Sequence, residues 1–169
     1  MSLTTEQKQQ FYRDGFLAIR GLFSAAEIEE IRGTFMEMAK DGPVPGLSDV
    51  PKAREGAPAR SNDPLLRYPR MMHPHKHQDK PVGPLAMRYM RDPRLKPILA
   101  ELFGEDPYAC QSMFYFKPPG ARGQDLHQDN FYLRVKPGTC MAAWIAVDDA
   151  DAGNGGMMCV PQTATLEVA

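Results

Sequence analysis

Apolar residues recur along this chain at two different periods, and the change of period divides it. Thr4-x-x-Gln7 has the form of a capping box and Gly15 is a natural stop, so a first helix is expected between them. Phe16-Leu17-Ala18-Ile19 is an unbroken apolar run with the length of a short buried strand. Ser24-x-x-Glu27 repeats the capping box, and Ile28, Ile31, Phe35 and Met38 follow at helical spacing. Gly42, Pro43, Pro45 and Gly46 stop that helix near Lys40. Asp92-Pro93 reads as an N-cap with proline at the first helical position. Leu95, Ile98, Leu99, Leu102 and Phe103 form the buried face of this third helix, and Gly104 closes it.

Beyond Pro107 the helical period gives way to short aromatic and β-branched runs. Strands are expected at Gln111–Phe116, His127–Leu133, Cys140–Val147, Met157–Val160 and Thr165–Val168. Pro118-Pro119-Gly120 breaks the first run, and Gly153-Asn154-Gly155-Gly156 is a turn. Helices first and strands afterwards predict an α+β chain, or a β-barrel wrapped by N-terminal helices. Between the two regimes, residues 41–83 hold eight prolines and no sustained period. So long an irregular stretch inside a compact domain carries function or moves.

Composition narrows the class. A chain of 169 residues suits one domain, and 43% hydrophobic with 24% charged residues excludes disorder for most of it. The expected division is a helical part over about 1–104 and a barrel part over about 105–169. A net charge of -1 provides no global field for nucleic acid. The longest apolar run, Met141–Val147, is seven residues against the roughly 20 of a membrane helix. The first residues lack the basic and apolar regions of a signal peptide. Three widely spaced cysteines, Cys110, Cys140 and Cys159, favour free thiols in a reducing compartment, and a cytoplasmic location is expected. Charge is uneven: residues 51–97 carry eleven basic and four acidic side chains, while 139–169 carry four acidic ones and no Lys or Arg. The basic run reads as a solvated surface or as an attraction for an anionic substrate. It lacks the interleaved aromatics that stack nucleobases.

The residues with recognisable chemistry are two copies of one tripeptide, His77-Gln78-Asp79 and His127-Gln128-Asp129. On a strand, residues i and i+2 face the same side, so an imidazole and a carboxylate can grip one ion and leave its other face open. Iron(II) oxygenases use that pair with a second, distant histidine. The first copy extends to His73, His75, His77 and Asp79 at every second position, but Pro74 and Pro81 interrupt it and no apolar residues alternate with it. It reads as a polar loop, or as a metal carrier through His73, His75 and His77. The second copy lies among aromatic strand residues, ahead of the apolar run 141–147, where a barrel mouth would hold it. Its alternatives are an iron site and a core histidine hydrogen-bonded to a nearby carboxylate.

Several blocks then stand in a fixed order: Phe11-x-x-x-Gly15-Phe16; Arg70-Met71-Met72-His73; residues 111–120 from Gln111 to Gly120; Leu126 to Tyr132 around His127-Gln128-Asp129; Ala143-Trp144 to Asp149; and Asn154-Gly155-Gly156-Met157 to Val160-Pro161. Together they resemble the phytanoyl-CoA dioxygenase family over nearly the whole chain. The resemblance implies a double-stranded β-helix, a cupin-like jelly roll, with N-terminal helices packed outside. It implies an iron(II)-dependent oxygenase with 2-oxoglutarate as co-substrate, acting with molecular oxygen on a small molecule or acyl ester, without nucleic acid or membrane as partner. By the same resemblance His127 and Asp129 are the first two iron ligands, and Gln128, Met113 and Trp144 contact the co-substrate. Arg70 falls where relatives place a basic residue reaching its carboxylates. Related halogenases carry a small residue at the position of Asp129, so this carboxylate favours hydroxylation.

The family's second iron-binding histidine and its distal arginine lie downstream of the Asn-Gly-Gly turn. Here no His follows His127 and no Arg follows Arg134. The expectation is therefore a barrel incomplete at its C-terminal end and a chain inactive by itself. The rival is a non-catalytic jelly-roll remnant or binding module.

Overall fold

The computed structural model describes residues 2–50 and 62–168. Pro51, Pro58, Lys52, Arg54 and Arg60 of the irregular basic stretch lie outside the described residues. Both capping boxes form. Thr4 and Gln7 exchange backbone and side-chain hydrogen bonds to open α1 (Thr5–Asp14), and Gly15 ends it at φ 83°, donating to the Phe11 carbonyl at 2.7 Å. Ser24 and Glu27 open α2 (Ala25–Ala39), which buries Ile31, Phe35 and Ala39 and packs Ile28 and Met38 at the margin of the same core.

A short α3 (Pro64–Arg67), β1 (Met71–Met72), a single 3-10 turn (Pro74–Lys76) and α4 (Val82–Met90) follow, then α5 (Leu95–Phe103), β2 (Met113–Phe114) and α6 (Asp129–Leu133). Three of these elements lie where the sequence shows no period. In α4 the helical pattern is hidden by Gly83 and Pro84 in the first turn, where a proline loses no helical hydrogen bond. Gly83 is required by packing: a Cβ there would stand 2.0 Å from the His77 carbonyl oxygen, so α4 meets the histidine turn backbone to backbone. Asp92 opens the α5 turn as expected, but the helix proper begins at Leu95.

The core has two parts. Phe35, Ile31 and Ala39 of α2 meet Val82, Leu85 and Tyr89 of α4, together with Leu47, Met71 and Phe116. A smaller cluster joins Leu3 to Ile98 and Leu102 of α5, with Leu17 and Ile19 at its edge. The run Phe16–Ile19 thus packs as an irregular segment, not as a strand. Arg94 joins the two parts. Its guanidinium donates to Glu27 at 2.6 Å, to Asp92 at 2.8 Å and to the Leu22 carbonyl at 3.1 Å, and lies 4.5 Å from the centre of the Phe23 ring.

β1 and β2 pair antiparallel, with Met71 opposite Phe114 and Met72 opposite Met113. On its other side β1 meets Ser48 in a single bridge, with Met72 N–H on the Leu47 carbonyl and Asp49 N–H on the Arg70 carbonyl, each at 2.9 Å. Among the described residues the sheet is this open two-stranded ribbon and not a closed barrel. Only Met113–Phe114 of the expected strand 111–116 is laddered; Asp129–Leu133 is helix; residues 140–147, 157–160 and 165–168 join no sheet among the described residues. A strand is stable only beside another, because its N–H and C=O groups point sideways. Leu126, Phe131, Tyr132, Trp144 and Met158 of this part of the chain are exposed. The glycine turn does form, closed by Gly156 N–H on the Asp151 carbonyl at 2.8 Å. Gly155, at φ 84°, lies against Lys117, whose Cε a Cβ would meet at 2.4 Å, so this turn and the Pro-Pro-Gly loop pack together. Among the described residues no helix is long and apolar enough to cross a membrane.

Two outcomes follow from this packing. Phe35→Ala is expected to cost about 3–5 kcal/mol in urea unfolding of this chain, while Trp144→Ala, half exposed at 50%, costs about 0.5 kcal/mol or less. Arg94, with the backbone and hydroxyl of Ser24, holds the Glu27 carboxyl down to about 2 from its ordinary 4.5. A carboxyl depressed in the folded state adds stability that is full above the ordinary value and is lost as pH falls from about 4.5 to about 2. Thermal melts across that window should fall less steeply for Arg94→Gln than for the parent.

Candidate metal centre

His127 and Asp129 converge although the segment is not a strand. Asp129 is the first residue of α6, and the chain turns at Gln128 so that His127 Nε2 lies 3.3 Å from Asp129 Oδ1. His127 Nδ1 lies 2.7 Å from the carbonyl oxygen of Asp125. A carbonyl only accepts, so Nδ1 carries the proton and donates, which in neutral imidazole leaves the Nε2 lone pair facing a carboxylate. Two acceptors in that position need a cation between them, either a proton or a metal ion. Donors each about 2.0–2.2 Å from one ion stand roughly 3 Å apart when at right angles, so the pair fits a shared divalent metal. The carbonyl on the far ring nitrogen is the usual partner of a metal-binding histidine. The pair is open, with the His127 side chain 31% and that of Asp129 51% exposed, and among the described residues no barrel mouth encloses it. Among the described residues no third His, Cys, Asp or Glu completes a three-donor cluster.

The other expected site residues fall in three places. Arg70 and Met113 share the β1–β2 ribbon: Arg70 immediately precedes β1, and Met113 pairs with Met72. Arg70 bonds Asp49 through Nε at 2.9 Å and Nη2 at 2.7 Å. Gln128 has Nε2 3.3 Å from the Glu167 carbonyl and 3.4 Å from that of Leu166. Trp144 lies on an unpaired, exposed segment. A groove of about 470 Å³ runs between α2 and residues 146–149, lined by Phe23, Ile28, Arg32 and Asp148 and by none of the expected site residues.

The first His-Gln-Asp copy is built differently. Asp79 pairs with Lys80 at 2.6 Å, not with His77. His73 takes a left-handed backbone, φ 50° and ψ 43°, and its Nδ1 is buried without a hydrogen-bond partner among the described residues. His75 is buried, with Nδ1 2.6 Å from Ser112 Oγ, and its ring stands edge-on to His73 at 6.0 Å. The three histidines therefore do not share one face; the turn fastens α4 to the start of β2.

Two further residues carry signals that the sequence reading passed over. Cys140 has its thiol pushed up by burial first, then by the Asp129 carboxylate and Cys110. Tyr115 stands two residues after Met113, the spacing that puts both on one side of a strand, and its hydroxyl lies 3.4 Å from Met113 Sδ.

Comparisons with known proteins show the family of this chain. The family described as Phytanoyl-CoA dioxygenase (PhyH) matches residues 11–169. "Phytanoyl-CoA dioxygenase 1" of Oryza sativa subsp. japonica is 26% identical over 183 residues, covering 95% of this chain and 64% of the relative. "Phytanoyl-CoA dioxygenase" of Arabidopsis thaliana is 26% identical over 182 residues, with the same 95% and 64% coverage. "Ectoine dioxygenase" of Bordetella parapertussis is 27% identical over 166 residues, covering 95% of this chain and 49% of the relative. The chain thus spans 64% of the two plant relatives and about half of the bacterial one. No solved structure matches it.

The buried histidine turn makes a pH test available. Burial holds His75 below its ordinary 6.5, with His73, Lys76 and His77 adding to the effect. The unfolded chain then binds the proton more readily, so stability is full above about 6.5 and is lost as pH falls below it. Thermal melts between pH 7.5 and 5 should show this loss, and His75→Asn should reduce the slope.

Proposed function

Because the chain belongs to the phytanoyl-CoA dioxygenase family, we propose that it contributes the first part of the active site of an iron(II)- and 2-oxoglutarate-dependent dioxygenase. The observation that carries this reading is the His127–Asp129 pair, 3.3 Å apart with the far ring nitrogen tied to the Asp125 carbonyl. In it His127 Nε2 and Asp129 Oδ1 are two of three iron ligands, the remaining one supplied from outside the described residues. Bound iron(II) supplies the redox chemistry that couples conversion of 2-oxoglutarate and oxygen to succinate and carbon dioxide with insertion of one oxygen atom into a substrate C–H bond.

The chain's own residues prepare that site. The Asp125 carbonyl fixes the His127 tautomer and ring plane, and the start of α6 fixes Asp129. Arg70, held by Asp49, offers a planar fork to a carboxylate of the co-substrate. Met113 and Trp144 supply apolar contact to its carbon chain, and Gln128 lines the same space. In the complete protein the unpaired segments 140–147, 157–160 and 165–168 become strands of a double-stranded β-helix, which covers Trp144 and encloses the metal. The substrate is a small molecule or an acyl ester, a class consistent with the phytanoyl-CoA and ectoine dioxygenases among the relatives.

The test uses the full-length polypeptide that carries these residues. Asp129→Ala should abolish succinate formation and weaken manganese(II) binding at least tenfold, whereas Asp79→Ala changes either by less than about twofold, since Asp79 is an exposed partner of Lys80. Turnover that survives Asp129→Ala, or is lost in Asp79→Ala, overturns the assignment. Metal binding without succinate in the parent protein favours the non-catalytic alternative, a jelly-roll remnant or binding module.

A further inference from the structure

Pairing of Met72 with Met113 puts Arg70, Met72, Met113 and Tyr115 on one side of the β1–β2 ribbon, since Arg70 and Tyr115 are the next residues of that face. Met71 and Phe114 take the opposite side: Met71 is buried in the core and Phe114 packs against it. On the outer side Tyr115 contacts Met113 and faces Arg70 across the ribbon. Its hydroxyl donates to Met113 Sδ at 3.4 Å, and the Arg70 guanidinium carbon lies 6.0 Å from its ring centre. Asp49 is the ion-pair partner of the Arg70 guanidinium, through Nε at 2.9 Å and Nη2 at 2.7 Å. Asp49 grips one edge of that guanidinium while Tyr115 borders it elsewhere, so the side chain is held on two sides at the rim of the ribbon.

A long arginine loses rotamer entropy when it binds an anion, and a neighbour that has already fixed its orientation lowers that cost. A thioether sulfur is a weak acceptor, so the phenol is poorly satisfied by Met113 alone and can turn toward a stronger acceptor. Tyr115 is 40% exposed, and its ring covers little core, so its conformation serves the surface side of the ribbon.

We infer that Tyr115 is a positioning residue for the co-substrate: it holds Arg70 and Met113 in the arrangement that receives a dicarboxylate 2-oxoacid. This rests on the co-substrate reading proposed above. It adds a residue that the sequence blocks do not mark, and makes the affinity for 2-oxoglutarate depend on one phenolic oxygen.

The full-length polypeptide, loaded with manganese(II), is titrated with 2-oxoglutarate by calorimetry. Tyr115→Phe, which keeps the ring and removes the hydroxyl, should raise the dissociation constant about five- to tenfold. Arg70→Gln should raise it further, and the double variant should lose less than the sum of the two single losses, because Tyr115 acts in part through Arg70; full additivity overturns the inference. Manganese(II) affinity and melting temperature should stay at their parent values in Tyr115→Phe. Unchanged 2-oxoglutarate binding in Tyr115→Phe, with weakened binding in Arg70→Gln, overturns the inference and leaves the co-substrate reading standing. A loss in Tyr115→Phe that comes with equal losses in metal affinity and melting temperature assigns Tyr115 a merely structural role and also overturns it. Unchanged binding in Arg70→Gln overturns both.

Discussion

Phe114 lies flat on Phe35, with ring centroids 3.9 Å apart and planes 3° from parallel, and this contact ties the ribbon to the long helix. Through it β2 cannot shift without α2, and through β2 the paired β1 is fixed as well. Phe116 continues the aromatic contact at 5.0 Å from Phe114, and reaches Tyr68 at 5.8 Å. Stacked aromatic pairs contribute about 0.5–1.5 kcal/mol beyond the area they bury. The larger effect is geometric. A two-residue ribbon has too few hydrogen bonds to be stable in isolation, so the side facing the core holds it, and the opposite side is free to carry Arg70, Met113 and Tyr115.

The histidine turn is the second brace. Ser112 accepts the His73 N–H through its carbonyl and meets His75 Nδ1 through its hydroxyl, so the residue before Met113 is pinned twice. Gly83 lets α4 come close enough to the His77 carbonyl to back this turn. The first His-Gln-Asp copy thus works as a joint under the ribbon, while the second has its donors in solvent. The same tripeptide has two uses because Asp79 is drawn off by Lys80 and Asp129 has no such neighbour in sequence.

The contrast between the two parts of the chain is one of partners. Residues before Gly104 find their hydrogen bonds within helices and their apolar contacts with one another. Residues after Phe116 contribute Met141 and Val147 to those clusters, and Arg32 reaches Asp148 at 2.7 Å, but most of their large apolar side chains stay exposed. Burying a side chain of that size is worth about 1.5–3 kcal/mol, and these positions obtain it only from strands that lie beside them.

The sequence by itself determined whatever depends on near neighbours. Both capping boxes, the stops at Gly15 and Gly104, the stripe of α2 and the turn at Gly153–Gly156 are satisfied within a few residues, so their signals are local. The order of the motif blocks identified the family, while His127 and Asp129 converge through the local turn at Gln128, which the same spacing at His77 and Asp79 does not produce. Tertiary structure decided the rest, because it depends on contacts between segments distant in sequence. It drew α4 out of a proline-rich stretch through the close approach of Gly83 to His77. It withheld the ladder from the strand-like runs 140–147 and 157–160, since alternation sets which way side chains point but supplies no neighbour for the backbone. It also joined Arg70 to Tyr115, 45 positions apart in the chain, through a register that only the packed ribbon defines.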